Sequence, residues 1–246
     1  MKVLVWLTML CMGVVWCGAA QQPSFAVATI RPSAAEVKFE SDGETKVLPG
    51  TLQMRDVTIA TCIKWAYGVQ RAQVVGPSLL TSEKYDITAK PDGPATKAEM
   101  KMMMRSLLAE RFGLVFHTEK RELKSLAVEV AKGGPKPQLK QAAEGEEPYR
   151  ANYARGSVAR ATTMQEFADF MGDVQDRPVV DKTGLSGRWD FTFDFTKYLV
   201  DQPKGIDDYL LVLNETLQGE LGLKLVPERD VVDVMVIDKV SKASDN

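Results

Sequence analysis

Apolar residues recur at helical spacing in four stretches of the chain. Ile59, Cys62, Ile63, Ala66 and Tyr67 form a stripe that opens at an N-capping Thr58 and stops at Gly68. Met164, Phe167, Ala168 and Met171 form a second stripe, opened by a Thr163/Glu166 capping box and predicted to end at Gly172. Thr96 and Glu99 open a third, running Met100, Met103, Met104, Leu107, Leu108 and Phe112 to Gly113. Leu210, Leu213, Leu217 and Leu221 make the fourth, stopped by Gly222. Period-two segments lie between and after them: Tyr85-Asp86-Ile87, Trp189-Asp190-Phe191, Leu126/Val128/Val130 and Val234/Val236.

These elements occur twice in the same order. The helix from Thr58 returns 105 positions later at Thr163, Val74-Val75 returns as Val179-Val180, and Tyr85-Asp86-Ile87 returns as Trp189-Asp190-Phe191. After each second helix the pattern predicts a short strand (114–116; 223–225), a charged turn (119–122; 227–230) and an alternating strand. The expected fold class is therefore α+β, an internal duplication of a β-α-β-β-α-β-β unit. The divisions are an N-terminal strand and hairpin over 21–49, repeat 1 over 50–131, a Gly/Pro/Glu-rich linker over 132–156 and repeat 2 over 157–246. The N-terminal strand is 25–30, and the hairpin pairs 37–39 with 46–48 around Asp42-Gly43.

Residues 1–20 read as an address: Met1-Lys2, an apolar run from Val3 to Trp16, and Gly18-Ala19-Ala20 before Gln21. This is the pattern of a cleaved signal peptide, with a retained anchor as the competing reading. Its removal leaves 226 of the 246 residues, only one cysteine of the three, and no remaining candidate membrane span. Cys62 lies on a helical stripe and is expected to be buried, which leaves the stability of the chain to its core. The balance of 31 basic against 33 acidic residues carries no electrostatic footprint for nucleic acid. The expected address is the periplasm or the cell exterior.

Catalytic patterns are sparse. With His117 as the one histidine there is no HExxH pair and no histidine metal cage, and neither a phosphate-binding loop nor a nucleophile elbow is present. No cofactor and no metal are expected. His117, Glu119 and Arg121 share one face of a strand, so a carboxylate-assisted imidazole competes with a surface ion-pair reading. Asp181-Lys182-Thr183-Gly184 offers charged and hydroxyl groups, and equally a hydrogen-bonded turn. Asp86 and Asp190, at matching positions, are a carboxylate pair of unknown separation. The aromatics are the candidate binding residues: Trp65 and Phe170, off their helical stripes at matching positions, with Tyr85 and Trp189. Packing of Trp65 and Phe170 between the two copies is the preferred account of that pair, exposure to a partner the other. The Met100–Met104 cluster reads as core filling, with an adaptable binding groove as the alternative.

The segments Phe25–Pro32, Ala66-Tyr67-Gly68, Tyr85–Lys90, Leu107–Phe112 with Phe116-His117, Lys132–Lys136, Pro178–Leu185, Gly222–Leu225 and Val236–Asp238 resemble the uncharacterised "soil-associated" family of bacterial secreted proteins. Leu79 and the terminal Ala243–Asn246 depart from that family's usual pattern. The resemblance carries no established activity. Related domains look to occur as extensions of membrane metallopeptidases of the β-lactam-sensor type, which points toward envelope sensing. More coarsely, Leu107–Leu114 and Leu217–Leu225 make each half similar to the short N-terminal domain of secretins and TonB-dependent receptors, which implies docking rather than catalysis. The expected function is an exported, non-catalytic interaction or sensing module for a protein, peptide or envelope component, through strand addition or an inter-repeat cleft. The alternative is a small hydrolase-like enzyme using His117 and Glu119 with the Asp181–Thr183 turn.

Overall fold

Helix starts follow the capping residues. Thr58 accepts from the Thr61 amide, and full capping boxes, Thr96/Glu99 and Thr163/Glu166, open two more helices. The computed structural model describes residues 23–34, 43–153, 155–199 and 205–244. The leader pattern at 1–20 and the 37–39 arm of the expected hairpin lie outside them.

In chain order the elements are β1 (Val27–Pro32), β2 (Glu44–Leu48), β3 (Thr51–Thr58), α1 (Ile59–Tyr67), β4 (Val74–Val75), α2 (Leu79–Ser82), β5 (Lys84–Lys90), α3 (Lys97–Phe112) and β6 (Val115–Val130). They continue with β7 (Lys140–Gln141), β8 (Tyr149–Tyr153), β9 (Gly156–Thr162), α4 (Met164–Gln175), β10 (Val179–Asp181), β11 (Trp189–Asp194), α5 (Ile206–Glu220) and β12 (Leu223–Lys239). The protein is a mixed α/β fold with three four-stranded sheets, ordered β1-β5-β3-β2, β10-β6-β12-β4 and β7-β11-β9-β8.

Two cores result. The first gathers Leu52, Met54, Ile63, Ile87, Met100, Met104, Leu108 and Phe112 beneath the first sheet. The second gathers Phe167, Met171, Phe191, Phe193, Leu213 and Leu217 beneath the third. Met100 and Met104 are core filler, Met102 is exposed, and Cys62 is fully buried, where desolvation pushes its thiol up to about 12 and leaves it inert.

The central sheet joins the cores, and here the predicted turns are corrected. Residues 119–122 and 227–230 are not turns: β6 and β12 are single strands of 16 and 17 residues, paired antiparallel from Leu223↔Val130 to Ile237↔Phe116. The charged run persists as strand because its side chains pair along the ribbon, Lys120 Nζ to Asp233 at 2.9 Å and Arg229 to Glu122 at 3.2 Å. Each strand serves both cores: β12 gives Leu223 and Leu225 to the second, Met235 and Ile237 to the first. The short strands cross over as well, β4 pairing in parallel with β12 and β10 with β6.

Three further boundaries differ from expectation. The strand at 44–48 pairs with β3 through a turn at Pro49-Gly50, so the hairpin closes there. The 132–156 segment contains β7 and β8, both members of the third sheet. Helix α4 runs past Gly172 to Gln175, because Asp176 supplies the left-handed C-cap instead.

Asp86 and Asp190 hold backbone rather than substrate. Asp86 Oδ1 accepts from the Asp56 amide at 2.9 Å and Asp190 Oδ1 from the Ala161 amide at 2.8 Å. Asp56 and Ala161 have φ of 53° and 43° and sit at register shifts that end β3 and β9 before α1 and α4. Each aspartate thus anchors a bulge that aims the following helix. Asp190→Ala is expected to lower stability by about 1–2 kcal/mol in urea titrations, and Ala161→Gly to recover part of it by relieving the positive φ.

Candidate functional site

The side chains proposed for catalysis do not converge. His117 Nδ1 lies 2.9 Å from Asp238 Oδ1, its Nε2 lies 3.9 Å from Glu119, and Glu119 is itself bonded by Arg121. All sit on the exposed surface of β6 and its partner strand. Asp181 Oδ1 accepts from the amide and hydroxyl of Thr183 at 2.9 and 2.7 Å, closing the local turn, while Lys182 pairs with Glu228. Asp181 is registered with Val128, and β6 separates that point from His117 by roughly 35 Å at ~3.3 Å per residue. One active site cannot use both. Among the described residues no cluster of three or more His, Cys, Asp or Glu is arranged to hold a metal, and no helix is long and apolar enough to cross a membrane.

The candidate aromatics are dispersed. Tyr85 is 3% exposed and meets Phe112 edge-on at 5.2 Å, because the alternation of β5 turns it inward; burial pushes its phenol up to about 12. Trp189 packs on the second core and donates to Ser186 O at 3.1 Å. Trp65 and Phe170 are half-buried, Trp65 packed on the first core and Phe170 on the second. The surface between the two units is bridged nearby by Lys64 to Asp173 at 2.8 Å.

Gln70 forms the tightest part of that bridge. Its Nε2 donates to Asp169 Oδ1 at 2.9 Å and to Val179 O at 2.7 Å, and its Oε1 accepts from the Val179 amide at 2.8 Å. The carboxamide therefore completes the outer edge of β10 as another strand would. It fits because position 172 is glycine, where a Cβ would collide with Oε1 of Gln70.

Other edges of the central sheet are closed in the same manner. Asn214 Oδ1 accepts from the Leu225 amide at 2.8 Å, Pro227 has no amide hydrogen, and Gln73 donates to Asp233 O at 3.0 Å. In the first sheet, β1 ends in Arg31-Pro32, and β2 carries Lys46 at its centre, paired with Glu44 at 2.7 Å. In the third sheet, β7 has two residues.

Strand β8 differs from all of these. It is Tyr149-Arg150-Ala151-Asn152-Tyr153, and among the described residues it is paired on one side only, with β9. Its single charged side chain is drawn away: the Arg150 guanidinium stacks on the Phe170 ring at 4.4 Å, over the acidic face of α4. Tyr149 and Tyr153 project from the opposite face, 57% and 45% exposed, and Tyr153 Oη donates to Phe193 O at 3.2 Å. Ser157 Oγ reaches Ala151 O at 3.2 Å, so that carbonyl points toward β9; by alternation the backbone groups of Arg150 and Asn152 point outward. A depression of about 410 Å³ lined by the 141–148 loop and Arg188 adjoins the start of β8. A five-residue strand flanked by Pro148 and an acidic loop has too little apolar alternation to be read from sequence, which is why this edge lay hidden in the expected linker.

A family described as a protein of unknown function (DUF3738) matches residues 60–240. The chain belongs to the DUF3738 family. Its match begins within α1 and runs to the end of β12, so it takes in the second core and the ribbon, while β1–β3, which give Ile30, Leu52 and Met54 to the first core, precede it. No curated protein and no solved structure matches the chain.

Proposed function

We propose that this DUF3738 protein is an exported, non-catalytic interaction module that takes an extended segment of an envelope protein or peptide onto the free edge of β8. The observation that carries this reading is the exposed edge of β8, whose one charge is folded onto Phe170, while carboxamides close the central sheet, Lys46 sits at the centre of β2 and β7 has two residues. Strand addition would draw affinity from the outward amides and carbonyls of Arg150 and Asn152, and selectivity from Tyr149 and Tyr153. The leader pattern at 1–20 supports export. The repeated Thr-capped helix, the Asp-anchored bulge before it and the Val-Val strand after it support an internal duplication, in which exchange of strands between halves fixes the two units side by side. The coarse similarity of each half to the short N-terminal domain of secretins and TonB-dependent receptors agrees with a docking role.

The test is capture from an envelope extract of the source organism, with the chain from Gln21 as crosslinked bait, comparing wild type with Ala151→Asp and His117→Ala. Loss of the partner with Ala151→Asp and retention with His117→Ala is the expected outcome. The reverse pattern would place function at the His117 surface.

A further inference from the structure

The sequence of β8 is self-complementary under a two-fold axis. An antiparallel pairing centred on Ala151 sets Tyr149 opposite Tyr153 of the second copy, Arg150 opposite Asn152, and Ala151 opposite itself. The hydrogen-bonding phase suits this register. Arg150 and Asn152 are the residues whose backbone groups face outward, so each Arg150/Asn152 pair exchanges both N–H and C=O, and Ala151 falls on a non-hydrogen-bonded pair where side chains approach most closely and a methyl group fits. Tyr149 comes opposite Tyr153 of the second copy on the solvent face, where the Tyr153 ring lies over Gly156 with its hydroxyl on Phe193 O. The same register brings Glu147, ahead of β8, toward Arg155 of the second copy, and no like charges are opposed. The corresponding pairing of β2, the other five-residue edge strand, would set Lys46 on Lys46.

We infer that β8 pairs with β8 of a second copy, joining the two third sheets into one continuous eight-stranded sheet in a two-fold dimer. This rests on the strand-addition reading of β8: the second copy holds the edge in the absence of an envelope segment, and the two compete for the same outward groups of Arg150 and Asn152.

Sedimentation equilibrium of the chain from Gln21, which carries every described residue, tests the inference. Wild type is expected to show a reversible monomer–dimer equilibrium. Ala151→Asp and Ala151→Lys each place like charges on the axis and are expected to weaken the dimer about tenfold or more, while an equimolar mixture of the two restores it. Thermal melts confirm folding of both variants, and Ala151→Glu or Ala151→Arg replaces the member of like sign that fails to fold. A wild type that stays monomeric up to about 1 mM, or a dimer indifferent to the axial charges, overturns the inference. If the chain is monomeric and Ala151→Asp still abolishes capture of an envelope partner, strand addition at β8 stands with a different occupant. If Ala151→Asp affects neither dimer nor capture, both readings fall.

Discussion

Replacing Gln70 with alanine is expected to destabilise the fold by about 2–4 kcal/mol, although the residue lies in neither core. The substitution strips the Val179 amide and carbonyl of their partners at a buried edge and removes a donor from Asp169. Buried backbone groups left unpaired lose about 1–3 kcal/mol each, less whatever water recovers. Gly172→Ala acts on the same contact from the opposite side, by pushing Oε1 of Gln70 away. The two changes therefore couple: the double variant should be little worse than the more harmful single one, where independent sites would add. Gln73→Ala removes an exposed hydrogen bond to Asp233 O and the acceptor of the Gln70 amide but leaves the Gln70 carboxamide in place, and should cost less, about 1–2 kcal/mol. Urea titrations of wild type and the four variants decide the matter, and additive losses from Gln70→Ala and Gly172→Ala would break the account.

The second large effect runs in the other direction. Gln175 precedes Val179 by four positions as Gln70 precedes Val74, yet it is 1% exposed and neither Oε1 nor Nε2 has a hydrogen-bond partner among the described residues. The asymmetry has a visible source. Gly172 makes room for Gln70 against α4, whereas the residue three positions before Gln70 is Tyr67, whose ring packs edge-on against Phe116 at 5.1 Å. An unpaired buried carboxamide opposes folding, so Gln175→Leu, close in volume and without polar atoms, is expected to raise stability by about 1–3 kcal/mol. The measurement is the shift in urea midpoint at unchanged slope. A loss of the size expected for Gln70→Ala would mean that the amide is bonded in the folded protein.

These two glutamines show where sequence reading succeeds and where it stops. Thr58, Thr96 and Thr163 mark helix starts because a capping hydroxyl acts within one turn, and Cys62 and Met100 lie inside because helical periodicity is local. Asp86 and Asp190 were visible as a matched pair, but their role as bulge anchors depends on contacts about thirty residues away. Glu119–Glu122 resembled a turn because a run of charges is ordinarily solvated; only the partner strand, with Asp233 opposite Lys120, shows that it is strand. Gly172 looked like a helix stop, and its actual use is to admit a side chain from the other unit. The candidate site was the least legible part. Openness of an edge is a statement about what does not cover it, and of the carboxamides that close the central sheet Gln70 and Gln73 lie more than a hundred residues from the strands they cap, while Asn214 reaches Leu225 from the preceding helix.

Residue-resolved amide hydrogen exchange, recorded on the chain alone at low concentration and again with its bound strand, whether a captured partner or a second copy, tests the central claim most directly. Occupation of β8 predicts slowed exchange at the outward amides of Arg150 and Asn152, with no change at Val179 and Leu225, whose amides are already held by Gln70 and Asn214. Protection gathered around His117 or Lys182, with Arg150 and Asn152 unchanged, would contradict it.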